Sequence, residues 1–237
     1  MNGRGAKFLQ QSFSILVSQT FKDFNVVISD HSLSDLVKDV CDSFSQKLDI
    51  HYVKNINNRG SSSANINNAI QHASGKLIKI LFQDDFLFNE HSLKIVVDNF
   101  DVTKDHWLVT GCEHSRDGQT MYRPFVPKYN DKIHLGNNTI SSPSVLTIKN
   151  EHPLMFDVEL IWLMDCDYYK RCFDAYGLPK IVPSIAVVNR TGDHQVSNTM
   201  ATKELQQREY QYVVHKFNVK FSRWEKVQQT FQRILHP

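Results

Sequence analysis

Apolar residues along this chain follow two rhythms. Over residues 7–19, Phe8, Leu9, Phe13, Leu16 and Val17 recur at helical spacing and predict an amphipathic helix. A second helix is predicted where Leu36, Val37, Val40, Cys41 and Phe44 form a stripe, with Ser34 as its cap. Residues 64–74 read as a third helix, with Gly75 at its C-terminal cap. Between these lie short apolar runs at 24–28, 50–53 and 77–82, each the pattern of a buried strand. Further on, a helix is expected at 91–100, strands at 107–110, 144–148 and 181–188, and a helical stretch at 159–177. Two amphipathic helices, 203–217 and 221–235, close the pattern. Residues 113–138 have no clear period and read as loops and short strands. Alternating helices and strands predict an α/β fold with a parallel sheet wrapped by helices, whose ligands bind beyond the strands' carboxyl ends.

Two such ends carry acids. Asp30 follows the first strand, and the adjacent Asp84 and Asp85 follow the third, in the stretch KLIKILFQDDFLF. Neighbouring carboxylates flanked by apolar residues repel each other and resist ionisation. A divalent cation offsets that cost, and a solvated acidic turn is the plainer alternative. Asp165 and Asp167 stand two apart in the later helical stretch, so only one of them faces a cleft; Asp167 reads as an exposed residue or a partner of the helix dipole. His194, in a polar loop, becomes interesting only beside a metal.

Composition narrows the classes. The 237 residues carry a formal net charge of +2, so no strong field points to nucleic acid. Four cysteines without CxxC spacing read as free thiols of a reducing compartment, which favours a cytoplasmic setting. No apolar run reaches the roughly 20 residues that span a bilayer. The C-terminal helices, apolar on one face and basic on the other, read as docked on the domain, with a membrane surface or a partner as the sharper alternative.

At four places the chain resembles family-2 glycosyltransferases of the GT-A fold. Residues 7–20 are similar to the family's first helix, which often ends in QT, here Gln19-Thr20. VVISDHSLSD, from Val26, resembles its strand and acidic turn. Asn58, Gly60, Ala64 and Asn65, leading to Asp84-Asp85, resemble its N-G-A-N run and metal-binding acids. Met164-Asp165-Cys166-Asp167 with Arg171 resembles the motif opening its acceptor-side helix.

The resemblance implies a GT-A-like, Rossmann-related fold: a mixed, mostly parallel sheet flanked by helices, with C-terminal helices. It implies a domain over residues 1–202, divided into a nucleotide-sugar half (1–100) and an acceptor half (101–202), and a helical extension over 203–237. It implies sugar transfer, with inversion, from a nucleotide-sugar donor, a UDP-sugar first, to a hydroxyl of a glycan or lipid-linked acceptor. Asp165 would be the general base, and Asp30, Asn58, Asn65 and Asp84 would bind the donor. Asp85 and His194 would hold Mn2+ or Mg2+. Association with the inner membrane surface or a homodimer is expected. A catalytically impaired sugar-nucleotide- or glycan-binding or assembly module is the alternative, and a nucleotidyltransferase a third reading. The chain departs from the family at Phe82 and Met164, where many members carry acids, and at its start, which falls after the family's first strand. An exposed strand edge is therefore expected.

Overall fold

The computed structural model describes residues 3–193, 195 and 199–220. In chain order the elements are α1 (Arg4–Ser18), β1 (Val26–Asp30), α2 (Leu36–Phe44), β2 (Ile50–Lys54), α3 (Ser62–Gln71), β3 (Leu77–Lys79), β4 (Phe86–Leu87) and α4 (Ser92–Asn99). Then come β5 (Trp107–Ser115), β6 (Met121–Phe125), β7 (Leu146–Lys149), α5 (Met164–Tyr176), β8 (Lys180–Arg190) and α6 (Lys203–Lys216). This is the α/β class that the alternating pattern predicts, with the mixed sheet that the resemblance implies rather than an all-parallel one. His194 and the expected helix at 221–235 lie outside the described residues.

The strands form two sheets. β1 and β2 pair in parallel, Val26 opposite Ile50 and Asp30 opposite Lys54. The larger sheet runs β3-β7-β5-β8-β4, with β6 on β5. Within it β5 and β8 are parallel, and β3 and β7 are antiparallel. The core gathers around β5, where Trp107, Leu108, Val109 and Cys112 are buried, and around Tyr168, Tyr169 and Cys172 of α5. One hydrophobic cluster extends from Leu9 of α1 to Val213 of α6, so the C-terminal helix shares the core of the domain.

Several boundaries move for identifiable reasons. β3 stops at Lys79: Ile80 still donates to Leu146 O (3.1 Å), but Phe82 then donates to the side-chain Oγ of Ser144 (2.9 Å) in place of a backbone partner, ahead of the acid pair. Asp35, not Ser34, holds the N-cap position of α2, and the Ser34 carbonyl is taken by Lys54. α3 ends at Gln71 with His72 as its C-cap, ahead of Gly75. Helix α5 begins at Met164 rather than near Glu159, because the N–H groups of Ile161, Trp162 and Leu163 donate to the buried Glu209 carboxylate of α6. Asp167 is fully buried, contrary to its exposed reading. It pairs with Arg171 one turn away (2.7 Å) and with Lys216 of α6 (2.6 Å), which supply the charges that make its burial tolerable.

Candidate active site

The acid pair sits in a tight turn, with Asp85 N–H donating to Phe82 O (3.1 Å). Asp85 is buried. Its Oδ1 accepts from Arg190 N–H (2.8 Å) and its Oδ2 from Ser142 Oγ (3.1 Å). Burial and the neighbouring Asp84 charge push its carboxyl well above the usual range, against bonds from Ser144, Arg190 and Ser142 that favour ionisation. Asp84 is half-buried, and its carbonyl accepts from Arg190 Nε (2.9 Å). Arg190 also donates to Gln11 of α1 (2.5 Å) and lies over the Phe8 ring at 4.3 Å. One buried guanidinium thus ties the acid turn to α1.

Asp165 lies in the first turn of α5. Cys166 N–H donates to its Oδ1 (2.7 Å), and Asn138 Nδ2 donates to its Oδ2 (2.7 Å). Burial raises its carboxyl to about 6. A carboxylate poised there accepts a proton near neutral pH better than an ordinary aspartate does.

The loop 138–144 joins these acids. Asn138 holds Asp165, and Ser142 holds Asp85 while also donating to Asn189 Oδ1 (3.1 Å). Between them Ser141 adopts a left-handed backbone at φ 97°. Its oxygens take bonds from Tyr169, Asn138 and Asn189, which over-determine that costly conformation. The sequence patterns do not assign these residues to the site. Their signal is the polar cluster NNTISSPS, which has no period and whose partners lie far along the chain.

The remaining expected donor residues lie at the smaller sheet. Asp30 is buried at the end of β1. It accepts from Ser32 N–H (2.8 Å), Tyr52 OH (2.8 Å) and Lys54 Nζ (3.0 Å). Burial raises its carboxyl, but these bonds outweigh that and leave it below the usual range. Asn65 ties α3 to β1, accepting from Ser29 Oγ (2.7 Å) and donating to Ser29 O (2.8 Å). Asn58 is exposed in a turn with φ 50°. Asp30 and Asn65 thus stand at one side of a deep slot, and Asp84, Asp85 and Asp165 belong to the larger sheet and its flanking helix.

A hard cation needs several oxygen ligands. Among the described residues, no group of three or more His, Cys, Asp and Glu side chains could hold a metal ion. Both Asp85 oxygens already accept bonds from the protein. The protein's own contribution is therefore narrow, with Asp84 the more accessible of the two carboxylates.

Known proteins resemble this chain in sequence and in fold. The family model for glycosyl transferase family 2 matches residues 2–162. An uncharacterized glycosyltransferase of Methanocaldococcus jannaschii is 27% identical over 70% of this chain. A Campylobacter jejuni GalNAc(5)-diNAcBac-PP-undecaprenol beta-1,3-glucosyltransferase is 32% identical over 34% of it. The chain spans 60% and 26% of the lengths of those two relatives. In fold it resembles Staphylococcus aureus TarS, solved with UDP-GlcNAc, at a TM-score of 0.66 and 14% identity, over 92% of this chain and 65% of that one. It also resembles a mannosyltransferase of Pyrobaculum calidifontis, solved with GDP-Man and Mn2+, at 0.58 and 12%, over 97% of this chain and 76% of that one. The α/β architecture, the acids at the strand ends and the family match over most of the chain together make it a member of glycosyl transferase family 2.

Proposed function

We propose that this chain moves a sugar from a nucleotide-sugar donor to a hydroxyl acceptor, with Asp165 as the general base. The observation that carries this reading is the loop 138–144, which holds Asp165 and the acid turn in one hydrogen-bonded frame. In the proposed step, Asp165 takes the proton of the acceptor hydroxyl as its oxygen bonds to the anomeric carbon. The bond to the diphosphate oxygen breaks, and its electron pair leaves with the diphosphate. One displacement inverts the anomeric centre. Asn138 aims the carboxylate at the acceptor, and burial keeps it basic near neutral pH.

Asp84, with Asp85 behind it, would hold Mn2+ or Mg2+ only in company with phosphate oxygens of the donor, and such a cation would stabilise the leaving diphosphate. His194 is kept as an additional ligand in this reading. Asp30, Asn58 and Asn65 are assigned to the nucleotide side. The UDP-GlcNAc complex of TarS supports a UDP-sugar as first choice, and the name of the Campylobacter relative supports a lipid-linked acceptor. No helix among the described residues is long and apolar enough to cross a membrane. Donor binding without turnover is the second reading. It is favoured by the bonds within the protein that already occupy both Asp85 oxygens, the acid that turnover with a cation would call on.

The test is a thermal-shift panel of nucleoside diphosphates and sugar nucleotides, with and without manganese, followed by turnover of the best donor. Ligand at about 100 times its dissociation constant adds about 2.7 kcal/mol of stability. A shift confined to one nucleotide class, with release of its diphosphate, is expected. A folded sample that responds to no donor would remove the transferase reading, and a shift without release would select the second.

A further inference from the structure

Both bonds that aim the Asp165 carboxylate trace back to one short segment. Cys166 N–H reaches its Oδ1 from the first turn of α5. Residues 161–163 lead directly into that turn, with Leu163 at the N-cap position. Asn138 Nδ2 reaches its Oδ2 from the loop on the other side. Two residues before Asn138, Gly136 has a left-handed backbone at φ 95°, and a Cβ there would stand 3.2 Å from the Trp162 ring and 3.5 Å from Leu163 Cδ2. The loop therefore rests on the same segment, through a glycine that leaves room for the indole. A displacement of 161–163 would move both partners of Asp165 at once.

That segment is fixed from a third element. Glu209 of α6 is 1% exposed. Its Oε1 accepts from Ile161 N–H (2.8 Å), and its Oε2 from Trp162 N–H (2.9 Å) and Leu163 N–H (2.9 Å). Arg208 stands 4.0 Å from Oε1. An ionised carboxylate only accepts, on two oxygens with about four lone-pair sites, so it suits three converging N–H groups as no neutral side chain does. Helix α6 has other ties to the domain. Tyr212 OH donates to Asp157 Oδ2 (2.9 Å), and Lys216 pairs with Asp157 and Asp167 (2.6 Å each). Those ties hold α6 in place without Glu209, whose carboxylate is left to fix the backbone just ahead of Asp165.

We propose that Glu209 is a positioning residue for the base: through the 161–163 backbone it sets where α5 and the Gly136–Asn138 arm hold the Asp165 carboxylate. This role rests on the transferase reading above. It gives α6, read from the sequence as an extension docked on the domain, a part in the reaction. Glu209 itself touches neither donor nor acceptor. Its effect is on aim, and a misplacement of about 1 Å in a catalytic group is enough to cost about 10²-fold in rate.

The experiment follows diphosphate release from UDP-GlcNAc, UDP-glucose and GDP-mannose, with manganese and with water as acceptor. It compares the full chain with Glu209→Ala, Glu209→Gln, Asp165→Asn and the double variant Asp165→Asn/Glu209→Ala, at a temperature where circular dichroism shows each to be folded. Glu209→Ala should lower kcat by about 10²-fold with donor KM changed by less than about twofold. Glu209→Gln, which keeps one acceptor oxygen, should recover about tenfold of that loss and is the variant to read if Glu209→Ala does not fold. In the Asp165→Asn background Glu209→Ala should add less than about a twofold loss, because groups that act as one unit are not additive. A lowered Tm with kcat unchanged, a donor KM that rises as far as kcat falls, or a full additive loss in the double variant would each overturn the role of Glu209 and leave the transferase reading standing. A folded parent that releases no diphosphate from any of the three donors, or an Asp165→Asn variant as fast as the parent, would instead remove the reading on which that role rests, and the role with it.

Discussion

The two sheets carry acids of the same kind in opposite conditions. At the larger sheet, β5 is enclosed by β7, β8 and β6, and its acids are held by long-range partners: Asp85 by Ser142 and Arg190, Asp165 by Asn138. At the smaller sheet, Asp30 is satisfied locally by Ser32, Tyr52 and Lys54, and β1 faces an open slot. The carboxyls respond in opposite directions. Burial dominates at Asp85 and Asp165 and raises them, whereas hydrogen bonds and a lysine win at Asp30 and lower it. A raised carboxyl suits proton transfer, and a lowered one suits a structural tie. In the proposed reading the enclosed side carries the chemistry, whereas β1 on the other side lines an open slot.

The largest effect should come from breaking the enclosed side at Asp165. The variant Asp165→Asn should lose about 10²–10⁴-fold in transfer while donor thermal shifts persist. In the parent chain the rate should climb as pH passes through about 6 and level off above it, because the ionised form is the base. Equal loss of donor binding, or a rate flat from acid to neutral pH, would take the base role from Asp165.

A second test removes the support beneath that residue. Glu209→Ala leaves three N–H groups ahead of α5 without their acceptor. At about 1 kcal/mol or more for each, the loss is about 3 kcal/mol, or roughly 6–12 °C in Tm. Glu209→Gln keeps an acceptor oxygen and should recover part of that loss. A Tm unchanged in Glu209→Ala would mean that α6 is not what sets the start of α5.

The smallest effect is expected on the open side. Asp30→Asn should cost about 1 kcal/mol at neutral pH, through its bonds to Lys54 and Tyr52. The folded carboxyl titrates below its ordinary value of 3.8, so its contribution is present above that value and disappears as pH falls through the lowered one. Acid unfolding curves of parent and variant should therefore converge at low pH. A gap that widens with acid would contradict the tie.

Much of this was legible from local pattern. Phe8, Leu9, Phe13 and Leu16 mark α1 because a helix repeats its face every three or four residues, and that rule needs no tertiary context. The short apolar run ending at Asp84-Asp85 was readable as a strand, whereas Asp165 was singled out by the family resemblance, inside a helix expected to begin near Glu159. Asp167 was misread because helical spacing says which way a residue faces and nothing about what covers it. What covers it is Lys216, 49 positions later in the chain.

The sequence by itself determined the order of helices and strands, the family and the acids at the strand ends, since these follow from periodicity and from motifs a few residues long. Tertiary structure decided which acids are buried, which are already bonded and where the sheet is open. Ser142 reaches Asp85 across 57 positions and Arg190 reaches it across 105. Contacts of that span depend on how β5, β7 and β8 close around one another. The carboxyl shifts depend on the same closure, because desolvation is set by everything packed near a group and not by its neighbours in the chain.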